Sequence, residues 1–240
     1  MLDCSFVPRY LNVVKLTLLN NVSRLRKGSV GVAERREREK QELRQEILDT
    51  ARKMFAAEGY EAVTMRRIAE AIEYSPTAIY LYFKDKEELI NELCHSDFRT
   101  LAKEFQKIAQ IPDPVERLKT TGLSYIEFGL AYPNHYRLMF MTPHPKPNDA
   151  MKADKGNPEQ DAYAFLKSVV GECIAAGRFR EAYGDVEAVS QVLWAGVHGL
   201  VSLWIAKCED DWVDWRPVRQ LAEIVIDMQL RGVLRNEGRS

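Results

Sequence analysis

Cysteine is scarce in this 240-residue chain, and Cys4, Cys94, Cys173 and Cys208 are scattered without a CxxC pair. That excludes the usual zinc ribbons and disulfide frameworks and makes reduced thiols in a cytoplasm the simplest reading. Neither sign of charge dominates: 34 basic residues against 35 acidic ones leave a formal net charge of −1. Such a chain is no non-specific coat for nucleic acid, although a local basic face remains open to it. Long hydrophobic runs are also missing near the start. Tyr10 to Val22 is broken by Asn12, Lys15, Asn20 and Asn21, too short to span a bilayer and followed by no small-residue cleavage site, so no membrane partner is expected. Catalytic signatures are absent too: no GxSxG, P-loop, HExxH or GxGxxG, and no credibly spaced carboxylate pair. His135 and His144 lack convergent carboxylates, so neither a metal, a cofactor nor an enzyme is expected.

What the chain does have is helical periodicity almost throughout, with no strand signal and no internal repeat. Its 46% hydrophobic and 29% charged residues describe an ordinary globular protein. Residues 1–33 read differently, as a floppy arm or as the product of a start placed upstream of Val30 or Val32. If this arm is real, Arg24, Arg26 and Lys27 are candidates for a minor groove. Helices are expected at Glu34–Glu58, Lys86–Ala109, Pro114–Ala131, Pro133–Met141, Pro158–Ala176, Val186–Lys207 and Pro217–Leu234. Thr142–Asn157, rich in proline, reads as a mobile loop.

The informative stretch is Thr64 to Phe83. Met65, Ile68, Ala69 and Ile72 form one apolar stripe, and Thr64 stands where an N-cap belongs. Ser75-Pro76 then opens a second short helix to Tyr82, cap first and proline next. Ile79 and Phe83 face the first helix, which leaves Thr77, Ala78, Leu81, Tyr80 and Tyr82 for other contacts, with Lys84 and Lys86 behind. Small, hydroxylic and basic side chains on a protruding helix suit a major groove.

Ala-x-x-x-Ser-Pro-x-x-Ile-Tyr-x-Tyr-Phe-x-x-Lys-Glu-x-Leu, Ala71 to Leu89, resembles the DNA-binding domain of the TetR family of transcriptional regulators. The resemblance runs back through ILDTARKMFAAEGYEAVTMRRIAEA and covers residues 41–101. It implies an all-α protein: a three-helix DNA-binding domain joined by a long helix to a helical effector and dimerisation domain at 114–235. It further implies phosphate contacts from Thr64, Tyr80, Tyr82 and Lys86, and base-edge contacts from Pro76, Thr77, Ala78 and Leu81. Ser75 and Arg66 complete the candidate interface, Arg66 reading equally well as solvated surface. Two residues depart from the family pattern: Glu73 stands where the turn usually carries glycine, and Thr77 where glycine is common. A Cβ at φ > 0 costs on the order of 1 kcal/mol.

In the second half, LWAGVHGLVSLWI is apolar nearly all round and is expected to be buried, with Gly196 and Gly199 allowing close approach. The resemblance implies dimerisation through the last two helices, and Val197, Val201, Trp204, Ile224 and Met228 are the candidate contacts. The Trp194, His198, Gly199 spacing also resembles a recurring C-terminal type. Tyr125, Phe128, Tyr132, Tyr136, Phe140 and Phe165, with Trp194 and His198, are candidates for an effector pocket, although a bundle needs such residues as core just as much. His135 and His198 are each expected to donate to a backbone carbonyl. Together these readings point to a homodimeric repressor on a two-fold double-stranded operator, released by an apolar or aromatic small molecule; activation stays open. The alternative is a helical ligand-binding or adaptor protein that has lost operator binding.

Overall fold

The computed structural model describes residues 31–143 and 146–235, so the arm with Arg24, Arg26 and Lys27, as well as His144, lies outside the described residues. The chain divides into two units at Leu89–Ile90. In the first, α1 (Val32–Glu58) exposes its charged N-terminal half and buries Ile47, Leu48, Ala51 and Phe55. Gly59, at φ 82°, ends it.

Two short helices follow. In α2 (Met65–Ala71) the Thr64 hydroxyl accepts the Arg67 amide at 3.2 Å, as its position before the apolar stripe predicts. In α3 (Pro76–Tyr80) the Ser75 hydroxyl accepts the Ala78 amide at 3.3 Å. This helix is two residues shorter than expected, because its end tightens: the amides of Leu81 and Tyr82 reach back only three residues, to Ala78 and Ile79. So short a helix is held by packing, and Ile79 and Phe83 are buried beneath it. Burial of each contributes roughly 2 kcal/mol.

Helix α4 (Lys86–Gln106) starts on Asp85, whose carboxylate accepts the Glu88 amide at 2.7 Å, and runs through the division into the second unit. It stops short of the expected Ala109, where three-residue hydrogen bonds wind the chain toward Pro112. The second unit continues with α5 (Pro114–Ala131), then α6 (Pro133–Tyr136), which widens into a π-helical turn over Arg137–Met141. The expected loop contains a further helix, α7 (Asp149–Asp154), capped by Asn148 and tied to α4 by a 2.7 Å contact of Asp154 with His95 Nε2. Six residues carry too little periodicity to be read from sequence. Helix α8 (Ala162–Ala175) begins on an Asp161 cap rather than at Pro158.

Helices α5 and α8 pack on α9 (Val186–Lys207), and α10 (Val218–Val233) closes against α5 and α9. An antiparallel bridge joins Phe179 to Leu234. Length and composition would let α9 pass for a membrane span, yet it lies in a helical bundle and within its own chain buries one stripe, Val189, Ser190, Leu193, Val197 and Val201. Val192 and Leu203 stay 65% and 55% exposed, beside Ile224 at 46% and Met228 at 67% on α10. Of the two glycines, Gly196 has Gln229 lying across it, leaving no room for a Cβ, whereas Gly199 faces open space.

Candidate nucleic-acid interface and ligand cavity

The turn between α2 and α3 is a Schellman motif. The Glu73 amide donates to Glu70 at 3.2 Å, and the Tyr74 amide to Ala69 at 2.9 Å. This geometry places Glu73 at φ 59°, the sole non-glycine at positive φ among the described residues. The glutamate thus takes up the left-handed conformation that a glycine would adopt without a Cβ.

Above it, Pro76, Thr77, Tyr80 and Leu81 are exposed, Leu81 to 79%, while Ala78 and Tyr82 are half-buried. Neither tyrosine belongs to the core. Thr64 and Ser75 use an oxygen lone pair to cap a helix, and each hydroxyl retains its proton to donate to a phosphate. Arg66 extends into solvent with an ion pair to Glu70 at 2.8 Å. Arg67 differs: its guanidinium grips both Glu58 carboxylate oxygens and the Ala62 carbonyl, which raises its pKa, chiefly through the Glu58 hydrogen bonds. Lys86 is less free than its position in the motif suggests. Its ammonium donates to the Tyr60 carbonyl at 2.9 Å and sits 4.0 Å from the Tyr60 ring centroid.

The second unit encloses a cavity of about 360 Å³ between α4, α5, α8, α9 and α10. Phe98, Leu101 and Phe105 of α4 form one wall, and Tyr125, Phe140 and Trp194 contribute to the others. The remaining aromatic candidates lie elsewhere. Phe128 packs on Tyr132, Phe165 on Phe105, and Tyr136 is fully enclosed; Phe128, Phe165 and Tyr136 are core, and Tyr132 is half-buried against it. His198 lines a second, more open cavity of about 530 Å³, whose walls share Phe140, Tyr163 and Trp194 with the first.

A buried polar cluster stands beside these cavities. Trp194 Nε1 donates to Tyr125 Oη at 3.0 Å, Tyr125 and Tyr136 hydroxyls meet at 2.9 Å, and Tyr136 Oη lies 2.5 Å from His198 Nδ1. Burial pushes the Tyr125 hydroxyl up to about 12 and Tyr136 further, and it lowers the pKa of His198, favouring the neutral ring. His135 Nδ1 instead meets the buried carboxylate of Asp97 at 3.0 Å. Both histidines therefore engage side chains where backbone carbonyls were expected.

Comparison with known proteins follows the same division. Residues 47–93 match the model for bacterial regulatory proteins of the tetR family, and residues 118–228 match a Tetracyclin repressor-like C-terminal domain. The chain belongs to the TetR family. The HTH-type transcriptional repressor AcnR of Corynebacterium diphtheriae is 45% identical over 60 residues, 25% of this chain and 32% of that protein. The match thus spans about a third of the length of that relative. The probable acrEF/envCD operon repressor of Escherichia coli K12 is 26% identical over 179 residues, 72% of this chain and 81% of that one. A TetR family transcription regulator from Marinobacter aquaeolei VT8 shares the fold with a TM-score of 0.64 at 18% identity, over 83% of this chain and 98% of that chain.

Proposed function

We propose that the protein is a cytoplasmic, homodimeric, sequence-specific DNA-binding repressor that a small molecule releases from its operator. The observation that carries the reading is the capped helix-turn-helix with an outward face of Pro76, Thr77, Tyr80 and Leu81. Two such faces on a two-fold dimer would enter successive major grooves about one helical turn apart. The exposed apolar residues Val192, Leu203, Ile224 and Met228 support dimerisation through α9 and α10. Val197 and Val201 are buried in their own chain and do not contribute, while Trp204, half-buried, leans edge-on against Trp215.

Release is supported by α4. The helix begins directly after the recognition segment and further on supplies Phe98, Leu101 and Phe105 to the cavity wall. A ligand that prefers one setting of α4 shifts the population away from the DNA-competent one, and a few kcal/mol of differential affinity suffices. Selection of duplexes by purified protein from a random pool, at near-physiological salt, tests the reading. An enriched palindrome is expected. Salt-sensitive binding without enrichment would replace the repressor with the adaptor reading.

A further inference from the structure

The inner cavity is poor in usable polarity. Among the described residues its wall contains no lysine, arginine or histidine, and its one charged residue is Asp161. That carboxylate already accepts the amides of Tyr163, Ala164 and Gly156, at 2.9, 3.2 and 2.8 Å. The other polar donors of the wall are engaged as well. Thr121 donates to the Arg117 carbonyl, Tyr163 to Glu187, Trp194 to Tyr125, and the Gln229 amide to Val192 and Leu193. A buried anion in this space would meet no countercharge and would carry its full desolvation cost.

The second cavity is different. It shares Phe140, Tyr163 and Trp194 with the first, and beyond them stand His198, Gln191 and Glu187. Glu187 accepts from Tyr163 and Gln191 and pairs with Lys167 at 3.2 Å, so among the described residues the rim offers no free cation. His198 Nδ1 faces two tyrosine hydroxyls, Tyr136 at 2.5 Å and Tyr125 at 3.1 Å. With Nδ1 accepting, the neutral ring carries its proton on Nε2, and that N–H is a donor left for whatever enters.

We propose that these two spaces together take an uncharged amphipathic ligand. Its apolar ring or chain fills the inner cavity, a hydroxyl or carbonyl oxygen accepts from His198 Nε2–H, and carboxylates and other anions are rejected. The assignment rests on the ligand-released reading and names the chemistry of its effector. A cavity of about 360 Å³ lies at the small end of ordinary ligand sites, so the body is compact.

The test uses the full chain and a matched pair of fluorophores, neutral N-phenylnaphthylamine and its sulfonated counterpart anilinonaphthalenesulfonate, at neutral pH. The neutral probe is expected to bind about tenfold or more tightly than the sulfonate, as an unpaired buried charge demands. Decanol should displace it at about a tenfold lower concentration than decanoate. Leu166→Trp, which fills the inner cavity, should abolish probe binding, and His198→Phe should weaken decanol several-fold while leaving the neutral probe unchanged. Equal or tighter binding of the anionic partner overturns the assignment, as does failure of both probes to bind. An unchanged decanol affinity in His198→Phe overturns the role of His198, and binding of the neutral probe by the same variant shows that the pocket has not collapsed. Operator affinity measured on the same samples keeps the two readings apart. Intact operator binding with no neutral preference overturns the ligand class alone, whereas a neutral preference without any operator leaves the ligand class standing and overturns the repressor.

Discussion

The Glu73 amide donates to the Glu70 carbonyl at 3.2 Å from a backbone held at φ 59°. A glutamate therefore occupies the left-handed position that closes the turn between α2 and α3. Its Cβ makes that conformation unfavourable by on the order of 1 kcal/mol relative to glycine. Glu73→Gly is expected to raise the free energy of urea unfolding by about that amount, with operator affinity equal or higher. A lower midpoint would show that the glutamate side chain holds the turn by contacts that outweigh the strain.

Neighbouring arginines are expected to behave oppositely. Arg66 is solvated apart from Glu70, so Arg66→Ala should weaken operator binding and reduce its salt slope by about one unit while leaving stability unchanged. Arg67 ties Glu58 and the Ala62 carbonyl together, so Arg67→Ala should lower the thermal midpoint and leave the salt slope alone. Filter binding over a salt series, paired with thermal melts, reads both.

Stability should fall at both ends of the pH scale through the tyrosine–histidine cluster. Tyr125 is raised from 10.0 to about 12, so the native state keeps a proton that the unfolded chain releases. Its contribution is complete below about pH 10 and disappears as pH rises through about 12, roughly 2–3 kcal/mol in all. His198 is lowered from 6.5, so the unfolded chain binds a proton that the native state resists. Its contribution is present above about pH 6.5 and is lost below it. Urea midpoints from pH 4 to 12 should show both shoulders, and His198→Gln should remove the acidic one.

Tyr136→Phe deletes the hydroxyl that links Tyr125 to His198 Nδ1. Leaving a buried acceptor unsatisfied costs about 1–3 kcal/mol. A midpoint change near zero would mean that Tyr125, 3.1 Å from the same nitrogen, replaces the bond completely.

A charge placed at the proposed dimer face should separate the subunits. Met228 is 67% exposed in the single chain, so Met228→Glu is expected to leave the fold intact and give a monomer by sedimentation. Palindrome affinity should then drop by at least about a hundredfold, as linked half-sites become independent. Val201→Glu, at a position with no exposure, should instead unfold the second unit.

The sequence alone determined what is built from neighbours along the chain. The Thr64, Ser75 and Asp85 caps, the proline opening α3 and the turn at Glu73 all act within three to five residues, and each is where its residue type requires. The outward placement of Pro76, Thr77, Tyr80 and Leu81 was legible for the same reason: their stripe has a clear phase against Ile79 and Phe83. Only the tertiary structure decided the second half. An apolar helix such as α9 has no phase of its own, so packing against α5, α8 and α10 chose Leu193, Val197 and Val201 to bury and left Val192 and Leu203 outside. The same holds for the aromatics, where Tyr125 reached the cavity and Phe128, three residues on, did not. His198 finds Tyr136 across 62 residues and His135 finds Asp97 across 38, distances over which no local periodicity carries information.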